Sequence, residues 1–309
     1  MSVHKDDQRG TWSFVVDLPS PDGSRRQVKR RGFGSKRQAV EAERAVLAEH
    51  RKGRYVPPTR LTLGRWLEEM WLPARVADLR PATVLGYRKS VRRVLANSIA
   101  GVPLGALDAS ALERLYGELL TSGGRAGGAL SPKTVANVAG VLSIALADAV
   151  RLKVLAHNPA GDARLPRRAP REMTAWTEAE AASFLASVAD ARLYPLWRLV
   201  LATGLRRGEL CGLRWGDVDL EGRTVTVAST RVVAERVEVG EPKTRAGARI
   251  VALDADTTAV LAAWRRRQLE ERLAAGGAWV DHGLVFVDEL GAPPHPETVT
   301  RWWREAVAR

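Results

Sequence analysis

The sequence is poor in residues that carry much of enzyme chemistry. Its 309 residues include one cysteine, five histidines and four tyrosines. A lone Cys211 excludes a disulfide framework and gives no metal-ligand cluster. Cys211 is therefore expected to be a small core residue, and no metal or cofactor is expected. No apolar run approaches the length of a membrane span, and no signal-peptide core opens the chain, which predicts a cytoplasmic protein. Lysine is scarce too, 8 residues against 40 arginines.

What is abundant is positive charge. The formal net charge is +13 and the isoelectric point about 10.6, values that call for a polyanionic partner. Residues 1–60 carry 14 Lys and Arg against 7 Asp and Glu, over half the surplus in a fifth of the length. Basic clusters recur along the chain, and no amphipathic membrane anchor accompanies them, so nucleic acid is favoured over a lipid surface. The length allows two or three domains, and a hydrophobic fraction of 45% excludes wholesale disorder.

Residues 10–34 alternate like strands, with Trp12, Phe14 and Val16 on one face and Pro21-Asp22-Gly23 as a turn. A second strand carries Arg25, Arg26, Lys29, Arg30 and Arg31. Ser35 then caps a helix to about His50, with Ala39, Val40, Val46 and Leu47 inward. Such a sheet backed by one helix can lay strands in a DNA groove.

Past a Pro57-Pro58 linker, four helices are expected. Thr62 caps the first, with Leu63, Trp66, Leu67, Met70 and Trp71 at helical spacing. The second starts near Pro81 and turns Val84, Tyr87, Val91, Val94 and Leu95 inward, Arg88, Lys89, Arg92 and Arg93 largely outward. Ser110 is the expected cap of the third. Ser131-Pro132 opens the fourth, which places Lys133 and Thr134 where a helix dipole and side chains can both meet phosphate. A second Pro/Arg-rich linker ends near Arg171, and Thr177-Glu178-Ala179-Glu180 reads as a capping box.

The stretch that organises the rest is Ala202-Thr203-Gly204-Leu205-Arg206-Arg207-Gly208-Glu209-Leu210, continuing to Leu213-Arg214-Trp215-Gly216-Asp217-Val218-Asp219. Leu193, Leu196, Trp197, Val200 and Leu201 before it form the stripe of a buried helix, which Gly204 stops in the left-handed conformation. Arg206 then falls at a tight joint, beside unpaired backbone N–H groups that attract an anion. Glu209 lies within one turn and can brace it. Downstream, Thr224–Val227, Arg231–Val239 and Ala248–Leu253 read as three strands, Asp254–Leu273 as a helix, Leu284–Val287 as a short apolar run, and a last helix starts near Pro296 and includes Trp302-Trp303, taken as core. Lys243 sits between the second and third strands and is the only lysine after Lys153. Lysine can be tuned to give up a proton where arginine cannot.

The Thr203–Asp219 stretch resembles the first catalytic box of the tyrosine recombinases, the phage integrases, and Pro242-Lys243-Thr244-x-x-Gly247-x-Arg249 is similar to their lysine segment. The resemblance implies a multidomain protein, mainly α with small β-sheets. Residues 1–55 would be a three-stranded sheet plus helix that binds arm-type DNA. Residues 61–160 would be a helical core-binding domain, ending in the family-like His157-Asn158-Pro159-Ala160, and residues 172–309 an incomplete α+β catalytic domain. It implies Arg206 as the first active-site arginine, Glu209 as its acidic support and Lys243 as general acid, without a metal. Arg26, Lys29, Arg30, Arg31, Arg88, Lys89, Lys133 and Thr134 are the candidate DNA contacts. The implied partners are double-stranded attachment sites, a homotetramer on DNA, and an accessory directionality or bending factor, in a bacterial or phage, nucleoid-associated setting.

Two family elements are absent from these residues. No histidine is followed by Arg three positions later, and Tyr55, Tyr87, Tyr116 and Tyr194 all precede Arg206. The expectation is an integrase that lost its C-terminal portion and binds DNA without cutting it. The alternative is a non-enzymatic DNA-binding protein, a repressor or decoy derived from an integrase.

Overall fold

The computed structural model describes residues 3–19, 25–51, 55–56, 59–124, 127–167, 172, 174–233, 237–240 and 248–308. They fall into two compact units, residues 1–79 with 86–169 and residues 80–85 with 170–309. The fold is mainly helical with small antiparallel sheets.

The first unit opens with an antiparallel sheet, β1 (Val3–Asp6), β2 (Thr11–Pro19) and β3 (Arg25–Phe33) in that order, followed by α1 (Lys36–Arg51). Alternation along β2 sends Phe14 and Leu18 into a small core with Val28 and Val46. An extra residue in β3 is absorbed opposite Trp12 and Ser13, where Gly32 has φ +91°, a conformation only glycine adopts without strain. Ser35 caps α1 as expected, its Oγ accepting from the Gln38 N–H at 3.2 Å. The turn expected at Pro21-Asp22-Gly23 lies outside the described residues.

A separate helical core follows. It comprises α2 (Leu63–Arg65), a π-helical stretch Trp66–Trp71, α3 (Leu72–Val76), α4 (Pro81–Leu95), α5 (Ala109–Ser122) and α6 (Pro132–Arg151). Met70, expected inward, is 47% exposed. The i→i+5 winding brings Trp66 and Trp71 to one face and turns Met70 away from it. Both buried indoles find acceptors on α6: Trp66 Nε1 donates to the Ala145 carbonyl at 3.0 Å and Trp71 Nε1 to Asp148 Oδ2 at 2.9 Å. Contrary to the sequence reading, α6 is long and apolar enough to cross a membrane by length and composition. Its apolar side is instead the spine of this core, burying Val135, Val138, Leu142, Ala145 and Leu146.

The cap of α5 is Asp108, not Ser110. Asp108 Oδ1 accepts from the Ala111 N–H at 2.7 Å, while Ser110 is already the second helical residue. Two capping side chains two positions apart compete, and the carboxylate three residues before Ala111 has the geometry. Asp108→Ala is expected to lower stability by about 1 kcal/mol. Ser110→Ala should stay within about 0.5 kcal/mol, both read by urea unfolding.

The second unit contains α7 (Glu178–Ser187), α8 (Tyr194–Thr203), α9 (Arg207–Gly212), β4 (Val218–Asp219), β5 (Thr224–Val227), β6 (Thr230–Val233), β7 (Val237–Gly240), β8 (Arg249–Ala252), α10 (Ala255–Ala275) and α11 (Pro296–Val307). Thr177 and Glu180 form the expected capping box at α7. The single strand expected over Arg231–Val239 is two strands, β6 and β7, paired antiparallel, while β4, β5 and β8 form another sheet. Val232 and Val239 favour a strand without revealing the reversal between them. The buried run Leu284–Val287 makes only an isolated bridge, Leu284 to Arg214, and Val285 accepts from Trp264 Nε1 at 2.6 Å. Trp303 packs among Trp176, Phe184 and Trp197, with ring centroids 5.0–5.6 Å away.

Candidate functional site

The site is built at the joint between α8 and α9. Leu196, Trp197 and Leu199 bury one side of α8, and Gly204 ends it at φ +63°, its N–H bonded to the Val200 carbonyl. Leu199 was missed by the sequence stripe, while Val200 and Leu201 are only partly buried. Leu205 plugs into the core behind the turn, so the extended backbone at Arg206 leads directly into α9. Leu210, Cys211 and Leu213 anchor α9 from beneath. Burial pushes the Cys211 thiol up to about 11, which leaves it an unreactive core group.

Gly208 is required by packing. A Cβ there would lie 2.5 Å from Thr230 Oγ1 and 2.9 Å from the Arg231 carbonyl, and one at Gly212 would lie 3.2 Å from the Arg231 nitrogen. β6 therefore runs directly against the backbone of α9.

Glu209 is the centre of the charge arrangement. Its side chain is 4% exposed, and both oxygens are fully engaged. Oε1 accepts from Arg206 Nη1 at 2.8 Å and Arg249 Nη1 at 3.2 Å. Oε2 accepts from the Arg206 backbone N–H at 2.9 Å and Arg249 Nη2 at 2.9 Å. Burial pushes the carboxyl upward, but the hydrogen bonds from Arg249 and from both groups of Arg206 outweigh it and hold the pKa at about 2. Glu209 is thus ionised throughout the physiological range. The Arg206 side chain is 75% exposed, and Glu209 is its hydrogen-bond partner among the described residues. Most of its fork faces solvent, the arrangement needed for a second, external oxyanion. Arg207, next in sequence, reaches Thr300 Oγ1 of α11 at 2.7 Å.

Arg206 and Glu209 are thus brought together. Lys243 lies outside the described residues. β7 pairs with β6 and β8 with β5, so the lysine segment joins one sheet to another rather than two paired strands. Arg249, six residues after Lys243, was not singled out from sequence. Its only signal was its place at the end of the Gly-x-Arg pattern, one arginine among 40.

Elsewhere, Lys29 and Arg31 share an open concavity with Lys5 and Ser13. Arg30, between them, is exposed and paired in register with Phe14. The Arg26 side chain is outside the described set. Arg88 and Lys89 are exposed on α4. Lys133 is exposed at the first turn of α6, and Thr134 Oγ1 bonds Ser131 Oγ at 2.9 Å, so Thr134 is partly engaged in the cap.

The chain is similar to known proteins in two segments. Residues 2–50 match the Arm DNA-binding domain and residues 175–309 the Phage integrase family. A tyrosine recombinase XerC-like protein of Caldanaerobacter subterraneus subsp. tengcongensis is 27% identical over 87% of this chain and 73% of its own length. The Tn1549 transposon integrase, solved with a circular intermediate DNA, superposes with a TM-score of 0.67 at 22% identity, covering 80% of this chain and 78% of that one. A λ integrase tetramer bound to a Holliday junction gives 0.57 at 16% identity, over 99% of this chain and 83% of that one. The chain is thus similar to the Arm DNA-binding domain over residues 2–50 and to the Phage integrase family over residues 175–309, resembles a tyrosine recombinase over most of its length, and shares the fold of integrases solved with DNA.

Proposed function

We propose that residues 1–309 act as part of a site-specific recombinase that integrates or excises a mobile element through a 3′-phosphotyrosyl intermediate, these residues binding the DNA and supplying the phosphate clamp but not the attacking tyrosine. Rejoining a DNA strand without an energy source requires a covalent ester that stores the phosphodiester bond. Charge then spreads over the phosphoryl oxygens and must be met by fixed cations. In this reading Arg206 clamps a nonbridging oxygen, Glu209 holds Arg206, and Lys243 protonates the departing 5′ oxygen. Six residues of extended chain span at most about 20 Å, so Lys243 is tethered within that distance of Arg249. Residues 1–55 bind arm sites, 61–160 clasp the core site, and 172–309 act on the phosphate. The working form is a tetramer on two duplexes in the bacterial or phage cytoplasm, with a bending or directionality factor as accessory partner. The observation that carries the proposal is the exposed Arg206 fork on a fully engaged, buried carboxylate.

Affinity for duplex DNA should fall steeply with salt. Replacing Lys29, Arg30 and Arg31 together by alanine should flatten the log–log salt slope by roughly 3, about one unit per lost phosphate contact. An unchanged slope would remove the arm-binding role from that sheet.

A second reading is supported by the placement of the tyrosines. All four precede Arg206 in sequence, and each is engaged in packing of its own. In that reading residues 1–309 occupy recombination sites without cutting them.

A further inference from the structure

We propose that Arg249 is a positioning residue that keeps the Arg206 guanidinium charged toward, and open to, the scissile phosphate. The inference rests on the phosphate-clamp reading above. A carboxylate facing a single arginine tends to close into a two-pronged pair, with no net charge and two of the five guanidinium N–H groups spent. Here the second arginine prevents that closure. Arg249 takes one acceptor site on each Glu209 oxygen, at 3.2 and 2.9 Å, and the Arg206 backbone N–H takes another on Oε2. Arg206 Nη1 is left with a single bond to Oε1, at 2.8 Å. Two guanidinium groups on one carboxylate sum to a net charge of +1. The surplus lies where solvent reaches, since the Arg249 side chain is 31% exposed against 75% for Arg206. Arg249 is itself held in place as the first residue of β8, paired with Val227 of β5.

If Arg249 is lost, Glu209 is free to turn a second oxygen toward the Arg206 side chain and neutralise it. DNA affinity contributed by that one phosphate should then fall without a general loss of binding. The test uses a duplex selected by this chain from a random pool, with each central phosphate replaced in turn by an uncharged methylphosphonate. The wild-type chain should show one position where neutralisation weakens binding by roughly tenfold, the scale of one charge-assisted contact. Arg206→Ala should abolish that position-specific penalty. Arg249→Ala should reduce it to about twofold or less while the penalties at other phosphates persist, and Arg249→Lys should restore it in part. The double variant Arg206→Ala/Arg249→Ala should lose no more than Arg206→Ala alone. A purely structural role would instead lower binding to all duplexes equally and leave the wild-type profile in shape, and that result overturns the proposal. If Arg206→Ala itself leaves the profile intact, the phosphate-clamp reading falls, and this inference with it. An Arg206 effect without an Arg249 effect sinks only the role given to Arg249.

Discussion

Glu209→Gln is expected to lower stability by about 2–3 kcal/mol at pH 7. The folded carboxyl titrates at about 2 against an ordinary 4.5, and each unit of such a difference is worth about 1.4 kcal/mol. The lower end of the range allows for solvent screening of the exposed Arg206 end of the pair. Glutamine keeps the shape but not the charge, so two guanidinium groups face each other across a neutral amide whose NH2 is a third donor. The sign of the pH dependence follows from the depressed pKa. The contribution is complete above about 4.5 and is lost as pH falls toward about 2. In urea unfolding, the gap between wild type and Glu209→Gln should be constant from pH 6 to 8 and clearly smaller at pH 3. A gap that widens on acidification would mean that the carboxyl is not held ionised by Arg249 and Arg206.

The other large effect is all-or-none. Mixed with a nicked suicide duplex and resolved under denaturing conditions, residues 1–309 are expected to bind the DNA yet give no covalent adduct. Attack on phosphorus requires a hydroxyl about 3–3.5 Å away and in line. Tyr116 is 2% exposed in the helical core, where burial pushes its phenol up to about 12. Tyr87 stacks on Trp71 with ring centroids 5.5 Å apart, and Tyr55 packs on the Phe14 core. Tyr194 opens α8, whose ten residues put it about 15 Å along the helix from the Gly204 end. An adduct formed by these residues, mapped to one of these tyrosines by mass spectrometry, would overturn the non-cleaving reading. Its absence together with tight binding would fit both an occupier of recombination sites and a recombinase that receives its nucleophile from elsewhere.

Local chemistry, written in the chain itself, determined a good deal. Ser35, Thr62, Ser131 and Thr177 cap the helices at which their spacing placed them, because capping depends on atoms within three residues. Gly204 likewise announced the left-handed stop, and the pair Arg206 and Glu209 lies within one turn. What the chain could not announce came from neighbours remote in sequence. The π-helical winding that exposes Met70 goes with packing two indoles on α6, and β6 and β7 are told apart only by their pairing with each other. Arg249 belongs to the same class, since it is separated from Glu209 by 40 positions and was one basic side chain among many. Short-range spacing fixes where a cation stands, whereas only the fold brings the second cation that decides how much of its charge remains for DNA.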